Sequence, residues 1–549
     1  MTSVSAHVAH ALAAHVDHVF GVMGNGNAAL LDALDRTSAR YTALRHEAGG
    51  VVAADACFRA SGRLAAATAT YGAGFTNTIT ALAEAAQARI PVVLVAGDAP
   101  TTGPRPWDVD QAAMAAAAGV ATFTVGREDA AATTVRAIEH ALAHRTAVVL
   151  AIPYDLATAE AGDPPAAEAL PPVTLPAPLA ADAARLDAVA ELLAGARRPF
   201  LLAGRGAWLA GAGDELGRLA HLTGAVTAST ALARGIFPDA GHDLGVTGGF
   251  GQESAMALVR EADVAVVFGA GLNQFTMRFG QLFAPGTRVV QVDLAAEATS
   301  PAVTDFVPGD ARLAASGIAD RLESAGASPS GWRESVDFAP LRRLEPGDDA
   351  APDGRLDPRR VAARLAELLP EDRVVVSDGG HFIGWANMYW PVASPDRMLM
   401  IGTAFQSIGL GLPSVAGAAA AKPEAAIVLT TGDGGGLMAL ADLESAVRTA
   451  GGRGMAVVWN DAAYGAEVNL YGLKGYAEAP MLIPEVDFAG LASAVGAEGV
   501  VVRELADLDR LAAWVAEPVD ARRFLVLDCR ISGRVIAPYQ HEVIAVNSR

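Results

Sequence analysis

Lysine is almost missing from this chain of 549 residues: Lys422, which precedes a proline, and Lys474 are the only two. An enzyme that forms a Schiff base, or a phosphate loop that closes on a lysine, therefore has almost no candidate residue. Cysteine is equally scarce, and Cys57 and Cys529 are too few for a disulfide framework or a cysteine-rich zinc site. The formal net charge is -20, so a nucleic-acid partner, which needs a basic stripe, is not expected. No apolar run reaches the ~18 residues needed to span a bilayer, and no basic, apolar leader opens the sequence. These absences lead to the expectation of a soluble, cytoplasmic protein without a membrane partner. The length exceeds what one hydrophobic core supports and points to three domains.

The most informative stretch is residues 425–466. Residues 425–429 form an apolar run that leads into Gly432-Asp433-Gly434. Leu437, Leu440, Leu443, Ala446 and Val447 then recur at helical spacing, and residues 455–459 form a second apolar run that stops at Asn460-Asp461. The pattern predicts a strand, a crossover helix and a parallel strand, with Asp433 and the Asn460-Asp461 pair at the same carboxyl edge. Adjacent strands lie about 4.8 Å apart, so oxygens from the two strand ends can hold one small cation. Gly432, Gly434 and Gly435 let backbone N–H groups approach an anion. Together these features suit a diphosphate bridged by Mg2+. Side chains alternate along a strand, so only one of Asn460 and Asp461 can face the cation.

Upstream, residues 3–19 read as a helix with His7, His10, His15 and His18 on a plain polar face, because no carboxylate or cysteine completes a metal set. A strand at 19–23 leads into Gly24-Asn25-Gly26-Asn27. Glu47 closes another strand, a helix runs to about residue 61, residues 65–71 lead into Gly72, Gly74 and Asn77, and a strand occupies 91–97. Apolar sequence follows Glu47 closely, so its carboxyl needs a partner or must stay protonated. Residues 156–186 and 324–356 shift towards Ala, Pro, Ser, Gly and acidic residues and read as linkers. Between them, strands at 198–204, 262–270 and 287–293 alternate with helices, and Gly204 and Gly206 lack the third glycine of a dinucleotide fingerprint. Farther on, a strand at 374–377 runs into Asp378-Gly379-Gly380-His381-Phe382. Residues 402–413 form a loop around Gln406 and Ile408, residues 471–479 read as a mobile flap, and residues 487–530 read as helices with a final strand at 524–528.

These motifs, in this order, resemble the thiamin-diphosphate (ThDP) enzymes, in particular the acetolactate-synthase-like group and the related 2-oxoacid decarboxylases. Residues 45–98 resemble their pyrimidine-binding domain, and residues 425–466 their Gly-Asp-Gly and Asn-Asn motif with aspartate in place of the second asparagine. The resemblance implies an α/β protein of three doubly wound parallel-sheet domains: pyrimidine-binding (1–160), central (186–323) and diphosphate-binding (357–549), with linkers at 161–185 and 324–356.

It further implies that Glu47 hydrogen-bonds the aminopyrimidine ring and promotes the tautomer that removes the C2 proton. Met23 stands where the family often has a proline against the pyrimidine. Gly72, Gly74, Asn77, Gly380, His381, Phe382, Gly432, Gly434, Gly435, Tyr464 and Gly465 fall near the cofactor, with Ile408 wedged beneath it and the Gln406 carbonyl accepting from its amino group. Mg2+ would be held by Asp433, the Ala463 carbonyl and either Asn460 or Asp461. Spacing from Asp433 favours Asn460. The register of Tyr464-Gly465 favours Asp461, which is preferred because the turn at 451–454 can absorb an extra residue.

Trp107 lies where acetolactate synthases carry Phe-Gln-Glu, and the lysine they place near Val120 is absent. Glu467 falls where pyruvate decarboxylases have a glutamate serving the substrate. Some members hold FAD in the central domain as a largely structural cofactor, and Gly248, Gly249, Gly251 and Asp293 are suggestively placed, but FAD is not the expectation here. The implied reaction decarboxylates a 2-oxoacid and ligates the remaining unit to a second carbonyl; the alternative is a decarboxylase that releases an aldehyde. Because Glu47 and Asp433 of one site would come from different chains, a homodimer is the minimum and a homotetramer is expected.

Overall fold

The structure, a computed structural model, describes residues 3–547. Its strands are short and mostly apolar throughout, as parallel sheets covered on both faces require. β1 (His18–Gly21), β2 (Arg40–Ala43), β3 (Ala66–Ala69), β4 (Val92–Asp98), β5 (Ala121–Thr124) and β6 (Ala147–Pro153) form one sheet in the order β2-β1-β3-β4-β6-β5. A second sheet has the order β12-β11-β10-β7-β8-β9, from β7 (Pro199–Ala203), β8 (Val226–Ser229), β9 (Asp243–Val246), β10 (Val264–Phe268), β11 (Arg288–Asp293) and β12 (Asp305–Pro308). The third comprises β13 (Arg373–Ser377), β14 (Met398–Met400), β15 (Ala426–Gly432), β16 (Gly454–Asn460), β17 (Glu498–Val502) and β18 (Leu525–Arg530), ordered β14-β13-β15-β16-β18-β17. The pairings beside the candidate site, β1 with β3, β13 with β15 and β15 with β16, are parallel.

The first and third sheets share one strand order, and in both the winding reverses between the first strand and the third. Loops diverge at such a switch and leave a crevice at the carboxyl ends of the strands. The β1/β3 switch carries the turns at 22–27 and 70–77. The β13/β15 switch carries 378–382 and 432–435. The sequence motifs thus stand at the two places where this topology opens a crevice.

The first and third sheets are joined through a common core, in which Phe20, Val51 and Leu94 share a cluster with Val374, Leu412 and Leu429. The helix Glu47–Ser61 lies directly on the helix Gly411–Ala421. A Cβ on Gly417 would meet the Ala53 carbonyl oxygen at 1.9 Å, so the close crossing requires glycine there.

Several expectations are corrected. The first helix covers only Val4–Ala13, and the chain turns so that His18 can begin β1 beside Arg40. His7 lies on no polar face: it is buried, and its Nε2 meets the Gly162 carbonyl at 3.0 Å. The stretch 324–356 is not simply a linker, because Trp332 and Phe338 are buried in the central domain's core with Phe200. The crossover after β15 is broken into Asp433–Met438, Leu440–Asp442 and Leu443–Ala450, since consecutive glycines at 434–436 weaken a continuous helix. β17 and the helix Pro538–Asn547 were not foreseen. No helix among the described residues is long and apolar enough to cross a membrane.

Candidate active site

At the β13/β15 switch, glycines let bulky groups close around the strand ends. A Cβ on Gly432 would lie 2.9 Å from Phe382, one on Gly434 2.7 Å from the Tyr464 ring, and one on Gly435 2.7 Å from Asp378 Oδ2. Asp433, at the start of the next helix, is buried; its Oδ1 accepts from the Gly434 N–H at 3.0 Å and its Oδ2 has no partner. Burial pushes its carboxyl up to about 6. Asp461 is pushed up to about 7, by burial first and then by the charge of Asp433. Two buried carboxylates, the charge of Asp433 raising Asp461 and one Asp433 oxygen left without a partner, make an environment that fits a cation. Among the described residues no three His, Cys, Asp or Glu side chains gather as a metal set. A cation here would therefore take the two carboxylates, a carbonyl such as that of Ala463, and oxygens from a bound diphosphate, a donor set that suits Mg2+.

Asn460 and Asp461 part company, as strand alternation demands. Asn460 ends β16 and turns away from the cavity, its Nδ2 donating to the Val486 carbonyl at 3.1 Å and to Asp528 Oδ1 at 2.9 Å. Asp461 lines the cavity with Asp433 and Ala463. Of the two residues weighed for the cation, Asp461 is the one on the cavity wall.

His381 is buried and its imidazole is depressed to about 4 by desolvation, so it is neutral at pH 7. Its Nε2 accepts from the Ala537 N–H at 3.4 Å, which leaves the proton on Nδ1, beside Gly465. Gln406 and Ile408 lie in a loop with φ of 90° at Gly402, 61° at Gln406 and 81° at Gly409. For glutamine that conformation costs on the order of 1 kcal/mol or more, and the surroundings must hold it. Tyr464 and Gly465 lead into the helix Gly465–Tyr471, on whose first turn Glu467 is exposed and borders the cavity. This cavity has a volume of about 1750 Å³ and continues past Gly269, Asp293 and Arg205 at the edge of the central sheet. Gly248 and Gly249 pack on Phe275, and Phe250 packs edge-on to Phe275 and Tyr539.

The β1/β3 switch holds the other residues, and none of them lines that cavity. Glu47 begins the helix Glu47–Ser61, half-buried, and its Oε2 accepts from Asn77 Nδ2 at 2.9 Å. A Cβ on Gly74 would lie 3.3 Å from Glu47 Oε1. Gly72 has a φ of 60°, and its N–H donates at 2.8 Å to Gln111 Oε1. Buried Gln111 also donates to the Gly97 carbonyl at 2.9 Å and so ties the turn to β4. Met23 and Trp107 stand 63% and 59% exposed. Trp107 lies on the loop whose Arg105 stacks on Tyr71 and Tyr154, at 4.0 and 4.6 Å. Gln111 escaped the sequence reading because a single polar residue in an alanine-rich helix carries no spacing signal.

Comparison with known proteins agrees with this geometry. Sequence models of the thiamine pyrophosphate enzymes match in order: the N-terminal TPP-binding domain at residues 2–114, the central domain at 186–317 and the C-terminal TPP-binding domain at 378–529. A sulfoacetaldehyde acetyltransferase of Castellaniella defragrans is 28% identical over 99% of this chain and 96% of its own length. An acetolactate synthase of Mycobacterium avium is 28% identical over 88% of this chain and 80% of its own length. An acetolactate synthase large subunit of Mycobacterium tuberculosis is 29% identical over 90% of both. With all three domains matched and both crevices built as the motifs demand, the chain belongs to the ThDP-dependent enzymes, in the acetolactate-synthase-like group.

Proposed function

We propose that this enzyme uses ThDP and Mg2+ to decarboxylate a 2-oxoacid and transfer the remaining two-carbon unit to a second carbonyl, and that it works as a homodimer at least, with a homotetramer the fuller form. One observation carries the reading. The pyrimidine-side residues and the diphosphate-side residues stand at two switch points of the same design, yet among the described residues the cavity lined by Asp433 and Asp461 contains none of the pyrimidine-side set. A site made from one switch point of each of two copies reconciles them.

When bound, ThDP supplies a carbanion-stabilising thiazolium. The chain's own part is to hold and position. Asp433, Asp461 and the Ala463 carbonyl would hold Mg2+. The backbone at 432–435 and neutral His381 would receive the diphosphate. Ile408 would support the cofactor from below, with the Gln406 carbonyl accepting from its amino group. Glu47, oriented by Asn77, would share one proton with the pyrimidine ring. Exclusion of water falls to the facing copy and to the exposed segment containing Tyr471, Leu473 and Tyr476. Decarboxylation and ligation involve no net electron transfer, so a flavin in the central domain would serve structure alone; visible flavin absorbance of the purified protein is the check on that point.

Ligation is preferred to simple decarboxylation on the names of the relatives, a synthase and an acetyltransferase. The test is carbon dioxide release and product analysis on protein stripped of and then resupplied with ThDP and Mg2+. Pyruvate heads the panel, and sulfoacetaldehyde, which has no carboxyl to lose and is followed by product analysis alone, is included because relatives of both names are 28% identical. A coupled product that depends on the cofactor is expected. Aldehyde as the sole product would make the enzyme a decarboxylase, with Glu467 as the residue to suspect. Failure to bind ThDP would overturn the whole reading.

A further inference from the structure

We infer that Glu84 is a positioning residue that sets the loop carrying Gln406 and Ile408, reaching it from a different domain; this rests on the cofactor reading above. Glu84 lies in the helix Ile79–Gln87 of the first domain and is 1% exposed. Its carboxylate serves the third domain. Oε1 accepts from the N–H groups of Gly402 and Ala404 at 3.0 and 3.4 Å, and Oε2 from that of Phe405 at 2.6 Å. Buried Arg59 stands 3.5 Å from it, is itself paired with Asp55, and donates to the Met400 carbonyl at 2.9 Å. A buried carboxylate facing three N–H donors and a guanidinium is strongly satisfied, and those N–H groups would lose their acceptor without it.

The other end of the loop is anchored by Asp378. Its Oδ1 accepts from the N–H groups of Gly379, Gly409 and Leu410 at 2.8, 3.0 and 3.2 Å, and its Oδ2 from Thr431 Oγ1 at 3.0 Å. Gln406, in its left-handed conformation, and Ile408 are thus suspended between two buried carboxylates. Asp378 belongs to the loop's own domain, whereas Glu84 does not. The helix that carries Glu84 starts just after Asn77, the partner of Glu47, so one segment touches the pyrimidine-side residues and the loop of the diphosphate side.

The test compares full-length wild type with Glu84→Gln and with Leu82→Ala. Leu82 is fully buried on the same helix, within the shared apolar core, and makes no polar contact with the loop. Glutamine keeps the size of Glu84 but turns an NH2 group towards backbone N–H donors. Amide hydrogen exchange over 400–410 is measured first, without cofactor. Exchange of the C2 proton of bound ThDP, the step that Gln406 and Ile408 serve, is measured second. Glu84→Gln is expected to speed amide exchange of the loop about tenfold or more and to slow C2 exchange by about 100-fold, with ThDP affinity little changed. Leu82→Ala is expected to lower Tm while leaving both rates at wild-type values. If Glu84→Gln does not fold, Glu84→Asp, which keeps the charge and withdraws it by one methylene, takes its place with the same expectations. Unchanged loop exchange, or equal effects of the two substitutions, overturns the inference. A wild type that binds no ThDP defeats the cofactor reading instead, and loop exchange still decides the role of Glu84.

Discussion

At the β13/β15 switch the carboxylates of Asp433 and Asp461 are sunk beside one another, with an oxygen of Asp433 left unpartnered. At the β1/β3 switch Glu47 is half-buried with Asn77 for company, and Met23 and Trp107 stand open around it. The strand order at the two places is the same, so the contrast comes from what the turns carry. One crevice is pre-built around charge and calls for a cation. The other is a surface that calls for a cover. Each supplies what the other lacks, and the proposed pair of chains rests on that contrast.

The contrast is broken most severely through the proton-handling residue. Glu47→Gln is expected to lower cofactor-dependent turnover by about 10²- to 10⁴-fold while ThDP binding survives, because the diphosphate side is untouched. Isothermal titration beside the rate assay checks this; a loss of affinity that matches the loss of rate would mean that the two crevices do not divide their labour. Next in size, Asp461→Ala is expected to weaken Mg2+ roughly 10- to 100-fold, the equivalent of one charged contact of about 1.5–3 kcal/mol. Asn460→Ala is expected to leave Mg2+ affinity alone and instead to lower stability by about 1–3 kcal/mol, since it removes the donor to Val486 and Asp528. The reverse pattern would hand the metal to Asn460.

The order of the motifs, the parallel α/β design and the placing of both crevices were legible in the sequence, because strand–turn–helix punctuation is local and strong. What was not legible depends on partners distant in sequence. The choice between Asn460 and Asp461 turns on which face of β16 meets Asp528. The roles of Glu84 and Gln111 depend on loops 318 residues and 39 residues away. The four histidines near the start read as a polar face because periodicity alone cannot show that His7 packs beneath residues around 160. β17 escaped because its residues are only partly buried and sit among helices.

The acid pair gives a pH prediction. Its folded values, about 6 for Asp433 and about 7 for Asp461, stand above the ordinary 3.8. Carboxyls raised in this way stabilise the fold below their ordinary value, and that contribution is lost as pH rises from about 3.8 through the folded values of about 6 and about 7. Cation-free protein is therefore expected to lose thermal stability across this window, and Mg2+ with ThDP to raise Tm more above pH 7 than below pH 6. A cation effect that does not grow with pH would remove the pair from the metal site. The smallest expected effect is at the exposed Glu467: Glu467→Gln is expected to change the ratio of aldehyde to coupled product by no more than about tenfold, or 1.4 kcal/mol, as read by product analysis.

The most direct measurement mixes two inactive variants. Glu47→Gln and Asp433→Ala are purified separately, unfolded or dissociated together, reassembled, and assayed with ThDP and Mg2+. If each site takes its pyrimidine side from one chain and its diphosphate side from another, every mixed dimer contains one site free of both substitutions, and about a quarter of wild-type activity returns. If both sides of a site come from the same chain, every site in the mixture carries a substitution, and no activity returns.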